Sequence, residues 1–320
     1  MQHANGIVRA ILPDDDFERI ETLYYRSNWS QEPQRYADDS ISYRKTDWRG
    51  LLFPASNADR PVILAQLYTQ GYAAFVDGTI EAFATVGISP ATGNGYLEYG
   101  CSAKGSRLLA SVIAECEQAV RAACGTQLYY TISMRLGEIR NERISFFEAQ
   151  GFACSPHYHV FADHRSIADW QQPEYLDLSR VRVADAATIA EIATLLDEDG
   201  EMFLAEEYRG QFAEHTPDHV FLCLYGEDGR QIQGIAYYKV WAKDEGFHAV
   251  MLGLHFRPCA EVGTYDIRLL LYAVLASLQQ LGVNAAWSRM SSQCFDLILE
   301  AYAAGFLLAP THTLVMSKSV

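Results

Sequence analysis

Two stretches of the chain share one pattern: ISFFEAQGFACSPHYHVF at residues 144–161 and ILEAYAAGFLLAPTHTLV at residues 298–315. In each, an apolar run with helical spacing ends in Gly-Phe. Three residues later a Pro introduces an alternating stretch that is typical of a strand. Glycine directly after a helix adopts the left-handed conformation at low cost, because it has no Cβ. We therefore expect Gly151 and Gly305 to end two helices, and each following Phe to return the chain to a core.

Two further matches occur in the same order. Arg-Leu-Leu at 107–109 and at 268–270 opens an apolar helix, and residues 7–25 and 180–196 both read as a short strand, an acidic cap and an amphipathic helix. Three matches in one order indicate an internal duplication. A repeat of about 154 residues is too long for a solenoid and has the size of a complete domain.

The predicted domains are residues 1–163 and 180–320, joined by the polar, Pro-containing linker 164–179. Both halves are predicted to run strand, two helices, three strands, helix, strand, helix and strand, with the second helix of the second half near 203–214. The predicted strands of the first half are 7–12, 72–77, 79–88, 96–101, 127–134 and 157–161, and its helices lie near 14–26, 61–70, 105–123 and 141–150. In the second half the last strand is predicted at 311–317.

Composition narrows the class of protein. The chain has 320 residues, 49% of them hydrophobic and 20% charged, which suits a folded protein of about two domains. It has no apolar run near the length of about 20 residues that a membrane span needs, and no signal-peptide pattern at its start. Seven cysteines without paired spacing predict reduced thiols and a cytoplasmic setting. The net charge of −15 argues against nucleic acid or an anionic membrane as a partner, because counterion release needs a basic face.

The element order and the helix–Gly-Phe–strand ending resemble the GNAT superfamily of N-acetyltransferases, with one copy in each half. The resemblance implies an α/β (α+β) fold of two tandem GNAT-like domains, each a mixed central sheet flanked by helices. It implies that the fourth strand of a domain splays from the fifth and that the cleft receives the pantetheine arm of acetyl-CoA. A loop of pattern Gln/Arg-x-x-Gly-x-Gly/Ala before the next helix holds the pyrophosphate, since N–H groups at a helix N-terminus bind anions.

In the first half, the Arg-Leu-Leu register places Gly100, Ala103 and Gly105 at the defined positions of this loop, and Lys104 adds a cation. An alternative is that Gly105 only closes a strand-to-helix turn. Under the resemblance, the predicted cofactor-binding residues are Cys101, Ala103, Lys104, Gly105, Ser106 and Asn141.

In the second half, the same register places Glu261, Thr264 and Asp266 at these positions. Their side chains block a close approach, and the two carboxylates would repel a diphosphate. We therefore expect the first half to hold acetyl-CoA.

Acyl transfer to an amine needs a base, because an amine of pKa about 10 must lose a proton to attack a thioester. The resemblance implies a carboxylate on the central strand, where Glu98 lies; an outward-facing strand residue is the alternative. The backbone N–H at the end of that strand is expected to polarise the thioester carbonyl. The family tyrosine that protonates the departing thiolate corresponds to Phe147 and Ala301, which cannot donate a proton. Tyr99 and Tyr158 are the candidate substitutes, and water or unassisted departure are the alternatives.

The aromatic-rich stretch 24–54 falls where the family places the loop that covers the acceptor. Its rings could enclose an aromatic or cationic amine, or could pack one domain against the other. His157 and His159 would share one strand face, but further ligands at suitable spacing are missing, so we predict no metal site.

Three functions remain open from the sequence. The first is an acetyl-CoA-dependent N-acyltransferase acting on a small amine, with catalysis in the first half. The second is a non-catalytic sensor or ligand-binding protein whose cofactor loops have decayed. The third is an acyltransferase that uses another thioester donor, such as an acyl carrier protein. We expect a monomer or a homodimer, because two fused copies can supply the interface that single-copy relatives obtain by dimerising.

Overall fold

The chain divides into two units, each with strands and helices in which three strands follow one another directly along the chain. The computed structural model describes residues 6–29, 47–54, 68–89, 92–135, 138, 141–185, 187–198, 219–243, 246–257, 262–292 and 294–320. Unit 1 comprises Met1–Ser133, Arg140–Ser155 and Val315–Val320, and unit 2 comprises Met134–Ile139 and Pro156–Leu314.

The described strands and helices follow the predicted order. Along the first half they are β1 (Ile7–Ala10), α1 (Phe17–Trp29), α2 (Trp48–Leu52), β2 (Tyr68–Val76), β3 (Thr79–Ile88), β4 (Gly95–Cys101), α3 (Ser106–Ala122), β5 (Gln127–Arg135), α4 (Glu142–Ala149) and β6 (Ala153–His164). A 3-10 turn at Ile167–Asp169 follows. The second half contains β7 (Val181–Val183), α5 (Ile189–Glu198), β8 (His219–Tyr225), β9 (Ile232–Lys243), β10 (Gly246–Phe256), α6 (Thr264–Gln280), β11 (Val283–Ser291), α7 (Phe295–Ala303) and β12 (Leu307–Ser319).

The sheet of unit 1 runs in the order β1-β2-β3-β4-β5. Neighbours from β1 to β4 are antiparallel, and β4 and β5 are parallel. The last residues of β12 also belong to this unit. There the Val320 N–H donates to the Thr126 carbonyl at 3.0 Å, and the Gln127 amide donates to Ser319 Oγ at 3.1 Å.

The sheet of unit 2 has the same pairing pattern. Its order is β7-β8-β9-β10-β11, with β10 and β11 parallel and the other neighbours antiparallel. Beyond β11 the sheet continues with β6, which pairs antiparallel with β11 from Ala286↔His164 to Ser291↔His159, and then with the part of β12 that belongs to unit 2. Thus each unit contains a strand segment from the other half of the sequence.

These units differ from the predicted domains 1–163 and 180–320. Most of β6 belongs to unit 2 and the end of β12 to unit 1, because strands pair according to tertiary position and not according to sequence half. The predicted linker 164–179 is also packed within unit 2. Ile167 and Leu176 are buried in its core, and the Gln279 amide donates to the Trp170 carbonyl at 2.8 Å.

The helix–Gly-Phe ending is confirmed in both halves. Gly151 has φ of 87° and Gly305 has φ of 100°, both in the left-handed region. The N–H of Phe152 donates to the Phe147 carbonyl at 3.0 Å, and the N–H of Phe306 donates to the Ala301 carbonyl at 2.9 Å. Each of these hydrogen bonds spans six residues and satisfies a carbonyl at the end of its helix. Both Phe side chains are buried, so the same local motif ends the two helices.

Several predicted boundaries differ from the observed ones. Strand 79–88 is confirmed at both ends, whereas the last strand of each half begins three residues before its Pro, at Ala153 and Leu307. The short helix α2 lies where the sequence predicted an irregular stretch. The helix predicted near 61–70 falls outside the described residues except for its end, which is strand, and the helix near 203–214 falls outside them entirely.

Helices cover both faces of the unit 1 sheet. On one face, α1 and α2 bury Ile20, Leu23 and Trp48 against β3. On the other face, α3 buries an apolar stripe made of Leu109, Val112, Ile113, Cys116 and Val120. Among the described residues, no helix is both long enough and apolar enough to cross a membrane.

Lys318 holds the end of the chain to unit 1. Its ammonium lies 2.6 Å from Oε1 of Glu117, which is 8% exposed and also lies 3.3 Å from the guanidinium of Arg121. We expect Lys318→Met to lower the free energy of unfolding by about 1–3 kcal/mol, because a buried carboxylate loses its shorter ion pair. Denaturant unfolding measures this change. The matched control is Arg121→Met: the Arg121 side chain is half-exposed, so its ion pair should contribute under about 1 kcal/mol. Equal losses in the two variants would contradict the prediction.

Candidate functional site

The parallel pairing of β4 and β5 ends before either strand does. The pairs run from Gly95↔Leu128 to Leu97↔Tyr130, although both strands are described throughout and β4 continues to Cys101. Beyond Leu97, residues 98–101 of β4 and 131–133 of β5 therefore separate within unit 1. We call this opening the β4–β5 gap. It is the splayed pair of strands that the sequence analysis predicted.

Glu98 is the first residue of β4 in the β4–β5 gap, on the face that α1 covers. Its side chain is exposed, and protein atoms crowded around the carboxylate still remove part of its hydration. This loss of hydration raises the pKa of Glu98 from 4.5 to about 7, and a hydrogen bond from the Tyr24 hydroxyl opposes part of the rise. A carboxyl group with such a pKa changes charge near neutral pH and can act as a general base there.

An aromatic cluster stands beside Tyr24 on the same face. The Trp48 ring lies 4.9 Å from the Tyr24 ring and 5.5 Å from the Phe83 ring, both edge to face. Trp48 is 4% exposed, and its indole N–H has no hydrogen-bond partner among the residues described. Tyr36 and Tyr43 of the predicted aromatic stretch lie outside the described residues. Trp48 and Phe83 are buried, so Tyr24 is the partly exposed ring of this cluster, next to the Glu98 carboxylate.

Tyr99 points to the opposite face of β4, since successive strand residues alternate. Its side chain is 4% exposed and lies against Tyr130 and Phe147, at ring distances of 5.3 and 5.4 Å. Burial raises the pKa of Tyr99 to about 12, and a hydrogen bond from Tyr130 opposes the rise. The hydroxyl thus keeps its proton at neutral pH and acts as a hydrogen-bond donor or acceptor.

Cys101 ends β4 and is held by α1. Its N–H donates to the Ser27 hydroxyl at 2.9 Å, and that hydroxyl lies 3.2 Å from the Cys101 carbonyl. Burial raises the pKa of the Cys101 thiol, so the thiol is a poor nucleophile. The strand-end N–H that we expected to polarise a thioester carbonyl is therefore engaged by Ser27.

Gly105 is required by the packing of its loop. A Cβ at this position would lie 1.9 Å from the Glu81 carbonyl oxygen on β3, so only glycine allows this approach. Ser102 fixes the same turn: its Oγ accepts from the N–H groups of Lys104 and Gly105 at 3.1 Å each and donates to the Glu81 carboxylate. The Ser102 hydrogen bond and the positive charges of Arg19 and Lys104 lower the pKa of Glu81 despite its burial. Gly105 therefore closes the strand-to-helix turn, and its role in holding a cofactor stays a prediction.

The N-terminus of α3 follows this loop and suits an anion. Its first turn contains no acidic residue, and its N-cap Gly105 makes no side-chain capping bond. The side chains of Ala103, Lys104, Ser106 and Arg107 are exposed around it. Two cations at the N-terminus of a 17-residue helix favour a phosphate group through both the partial charge of the helix and direct attraction.

The corresponding helix of unit 2 differs at this point. Parallel pairing of β10 and β11 also ends early, at Met251↔Ser288, so unit 2 has its own strand gap. However, Asp266 in the first turn of α6 lies 3.0 Å from the Arg180 guanidinium and accepts a hydrogen bond from the N–H of Gly263 at 3.4 Å. Its carboxylate already occupies the position where an anion would bind. Thr264 begins this helix, and Glu261 lies outside the described residues.

The other predicted site residues are dispersed. Gly100 lies within β4, where a Cβ would meet the backbone of α1 at 2.6 Å, so it serves packing. Asn141 caps α4 by accepting from the Ile144 N–H at 3.0 Å. Tyr158 belongs to β6 in unit 2, and its side chain lies outside the described ones, as does that of His157.

Comparison with known proteins rests on solved structures. No protein-family model and no curated protein matches the chain. A tandem GNAT protein from the clavulanic acid biosynthesis pathway, solved without AcCoA, is 9% identical with a TM-score of 0.59, and 98% of each chain is covered. A GCN5-related N-acetyltransferase from Sphaerobacter thermophilus is 12% identical with a TM-score of 0.57, covering 98% of this chain and 95% of that one.

A third similar structure contains the glucosamine N-acetyltransferase region of a fungal multi-domain GH3 β-N-acetylglucosaminidase. It is 12% identical with a TM-score of 0.63, covering 99% of this chain and 38% of that one. The chain has the tandem GNAT fold. At these identities the similarity establishes the fold, and the chemistry has to be argued from the residues of this chain.

Within the tandem GNAT fold, three residues near the β4–β5 gap escaped the sequence analysis. Ser27 engages the end of β4, Glu81 anchors the loop before α3, and Tyr130 bonds Tyr99. Each acts on a residue at least 21 positions away in the sequence. Arg107 is different, because the sequence alone shows it as a second cation next to the predicted loop.

The raised pKa of Glu98 makes stability depend on pH. Between about pH 4.5 and 7 the folded protein keeps a proton on Glu98 that the unfolded chain has lost, so this group lowers stability progressively as pH rises through that window. We therefore expect Glu98→Gln to raise the melting temperature, relative to the parent, more at about pH 8 than at about pH 5. Glu227→Gln, in an exposed turn of unit 2, controls for the loss of one negative charge. A larger gain at the lower pH would contradict this assignment.

Proposed function

We propose that the chain is an acyl-CoA-dependent N-acyltransferase, with acetyl-CoA as donor, a small amine as acceptor and unit 1 as the active unit. The observation that carries this proposal is the β4–β5 gap, which has a carboxylate on one face and ends at a helix N-terminus without acidic residues. The tandem GNAT fold supports acyl transfer from a CoA thioester in general, and the choice of acetyl-CoA and of an amine belongs to the proposal.

The residues of unit 1 fit a CoA thioester better than those of unit 2. Lys104, Ser106 and Arg107 surround the exposed start of α3 and would hold the diphosphate. At the start of α6, the Asp266 carboxylate would have to move before a diphosphate could bind. We therefore assign donor binding to unit 1.

Glu98 is proposed as the general base. Its pKa of about 7, compared with 4.5 for an ordinary glutamate, makes it a stronger base while leaving it largely ionised at slightly alkaline pH. It would take the proton that the amine loses as the C–N bond forms. Tyr24 holds the carboxylate by one hydrogen bond, and the exposed side chain is accessible to the acceptor and to solvent.

The acceptor is proposed to approach from the face of α1 and α2. Tyr24 is partly exposed beside the base, and the buried rings of Trp48 and Phe83 support it from behind. An amine attached to an apolar or aromatic body would contact the Tyr24 ring while its nitrogen reaches Glu98.

The alternative function is a non-catalytic ligand-binding or sensor protein. One observation favours it: the N–H of Cys101, at the strand end, donates to Ser27 and not into the gap. In this alternative, acetyl-CoA binding without turnover is expected. Calorimetry with acetyl-CoA, followed by an assay of thiol release with a panel of small amines (tyramine, glucosamine and spermidine), separates the two functions. Absence of both heat and thiol release would refute the proposed transferase.

Lys104 tests the diphosphate site. Lys104→Glu should weaken acetyl-CoA binding at least about tenfold, because it reverses a charge at the anion-binding end of α3. Calorimetry should show no change for S-acetylpantetheine, which lacks the diphosphate. The matched control is Arg121→Glu, the same reversal at the last turn of the same helix. If both reversals weaken acetyl-CoA equally, the effect is one of net charge and the site is misplaced.

Glu98 tests the base. Glu98→Gln should lower thiol release in the presence of an acceptor amine by about 100-fold or more, the usual contribution of a positioned base. The dissociation constant of acetyl-CoA should stay nearly unchanged, because the carboxylate faces the acceptor side of β4. Turnover at the parental rate would rule out Glu98 as the base.

A further inference from the structure

Two tyrosine hydroxyls meet where β4 and β5 begin to separate. Tyr130 is the last residue of β5 that pairs with β4, and Tyr99 stands two residues beyond its partner Leu97. Both side chains are buried, at 2% and 4% exposure, on the face opposite Glu98. A hydrogen bond joins the two hydroxyls. The pair therefore lies at the apex of the β4–β5 gap.

Phe147 fixes the orientation of this pair. Its ring stacks on Tyr130 at 4.2 Å and 24°, and meets Tyr99 edge to face at 5.4 Å. It is fully buried and also contacts the ring of Phe152 at 5.1 Å. Four packed rings leave the two tyrosines little freedom to rotate, so the direction of their hydroxyls is set by the fold.

Each of the two hydroxyls has one proton and can accept another, so one of them donates to the other in this bond. When Tyr130 donates and Tyr99 accepts, the proton of Tyr99 itself points away from Tyr130. The Arg143 guanidinium donates to the Ser133 carbonyl at 2.5 Å. Its positive charge acts to lower the pKa of both tyrosines, against the effect of burial.

We propose that Tyr130 is a positioning residue that directs the Tyr99 hydroxyl at the sulfur of the thioester donor. This inference rests on the proposed function and deepens it. As the amine nitrogen forms the C–N bond and the C–S bond breaks, the electron pair stays on sulfur and Glu98 receives the amine proton. Tyr99 stabilises the sulfur anion through a hydrogen bond and keeps its proton, because its pKa of about 12 exceeds the value of about 8.5 for a free thiol. Solvent then protonates the thiolate.

This arrangement accounts for Phe147, where the GNAT resemblance implies a tyrosine. A hydroxyl at the gap comes from β4 in place of α4, and the residue on α4 serves as the apolar wall that holds the two tyrosines. Tyr99 alone could swing its hydroxyl, whereas Tyr99 bonded to Tyr130 cannot. Each of the three rings thus has a distinct role.

Coenzyme A and desulfo-coenzyme A test this inference without an acceptor. At about pH 9, where a free thiol is mostly ionised, the parent protein should bind coenzyme A about fivefold more tightly than the desulfo compound, which corresponds to about one hydrogen bond to sulfur. Tyr130→Phe and Tyr99→Phe should each abolish this ratio and leave the affinity for desulfo-coenzyme A unchanged. Calorimetry measures both constants.

Tyr129→Phe is the matched control, because Tyr129 lies next to Tyr130 on the opposite face of β5 and stacks on Tyr96 at 5.5 Å. It should keep the ratio. A Tyr130→Phe protein that retains the ratio, or that binds both compounds more weakly by the same factor, would overturn the orientation inference and leave the proposed function intact. A parent protein that binds neither compound would overturn the proposed function itself.

Discussion

The structure of unit 1 depends on the early end of one parallel strand pair. Beyond Leu97↔Tyr130, β4 still pairs with β3 as far as Cys101, but its other edge no longer faces a partner strand. Buried backbone groups on that edge must find partners elsewhere. At the strand end, Ser27 of α1 meets this need by bonding both the N–H and the carbonyl of Cys101. The opening is thus held by side chains instead of a ladder, which leaves room between two strands for a ligand.

Strand alternation divides the chemistry of this opening between two faces. Glu98 faces α1, where water reaches it and its pKa near 7 allows it to exchange a proton. Tyr99 faces α4, where aromatic rings enclose it and its pKa near 12 keeps the proton in place. Desolvation raises both pKa values. In the proposed reaction, one residue of register would thereby separate proton transfer from stabilisation of the leaving group.

The two halves of the chain have kept the same scaffold and have diverged at one helix end. Both retain the left-handed glycine, the buried Phe and the early separation of parallel strands. The start of α3 presents Lys104 and Arg107, whereas the start of α6 is closed by the Asp266 carboxylate. A first-turn acid stabilises a helix by itself, so the loss of an anion site brings a gain in local stability. The duplicated fold therefore does not require that both copies bind the same ligand.

The sequence by itself determined the features that depend on neighbouring residues. The glycines Gly151 and Gly305, the bounds of β3 and the acid at the start of α6 follow from local backbone and side-chain preferences, which a sequence displays directly. Only the tertiary structure decided which strands complete each unit, why Gly105 must lack a Cβ, and that Tyr99, Tyr130 and Phe147 form one cluster. These features arise from contacts between residues far apart in the chain, and their geometry depends on packing that no local pattern encodes.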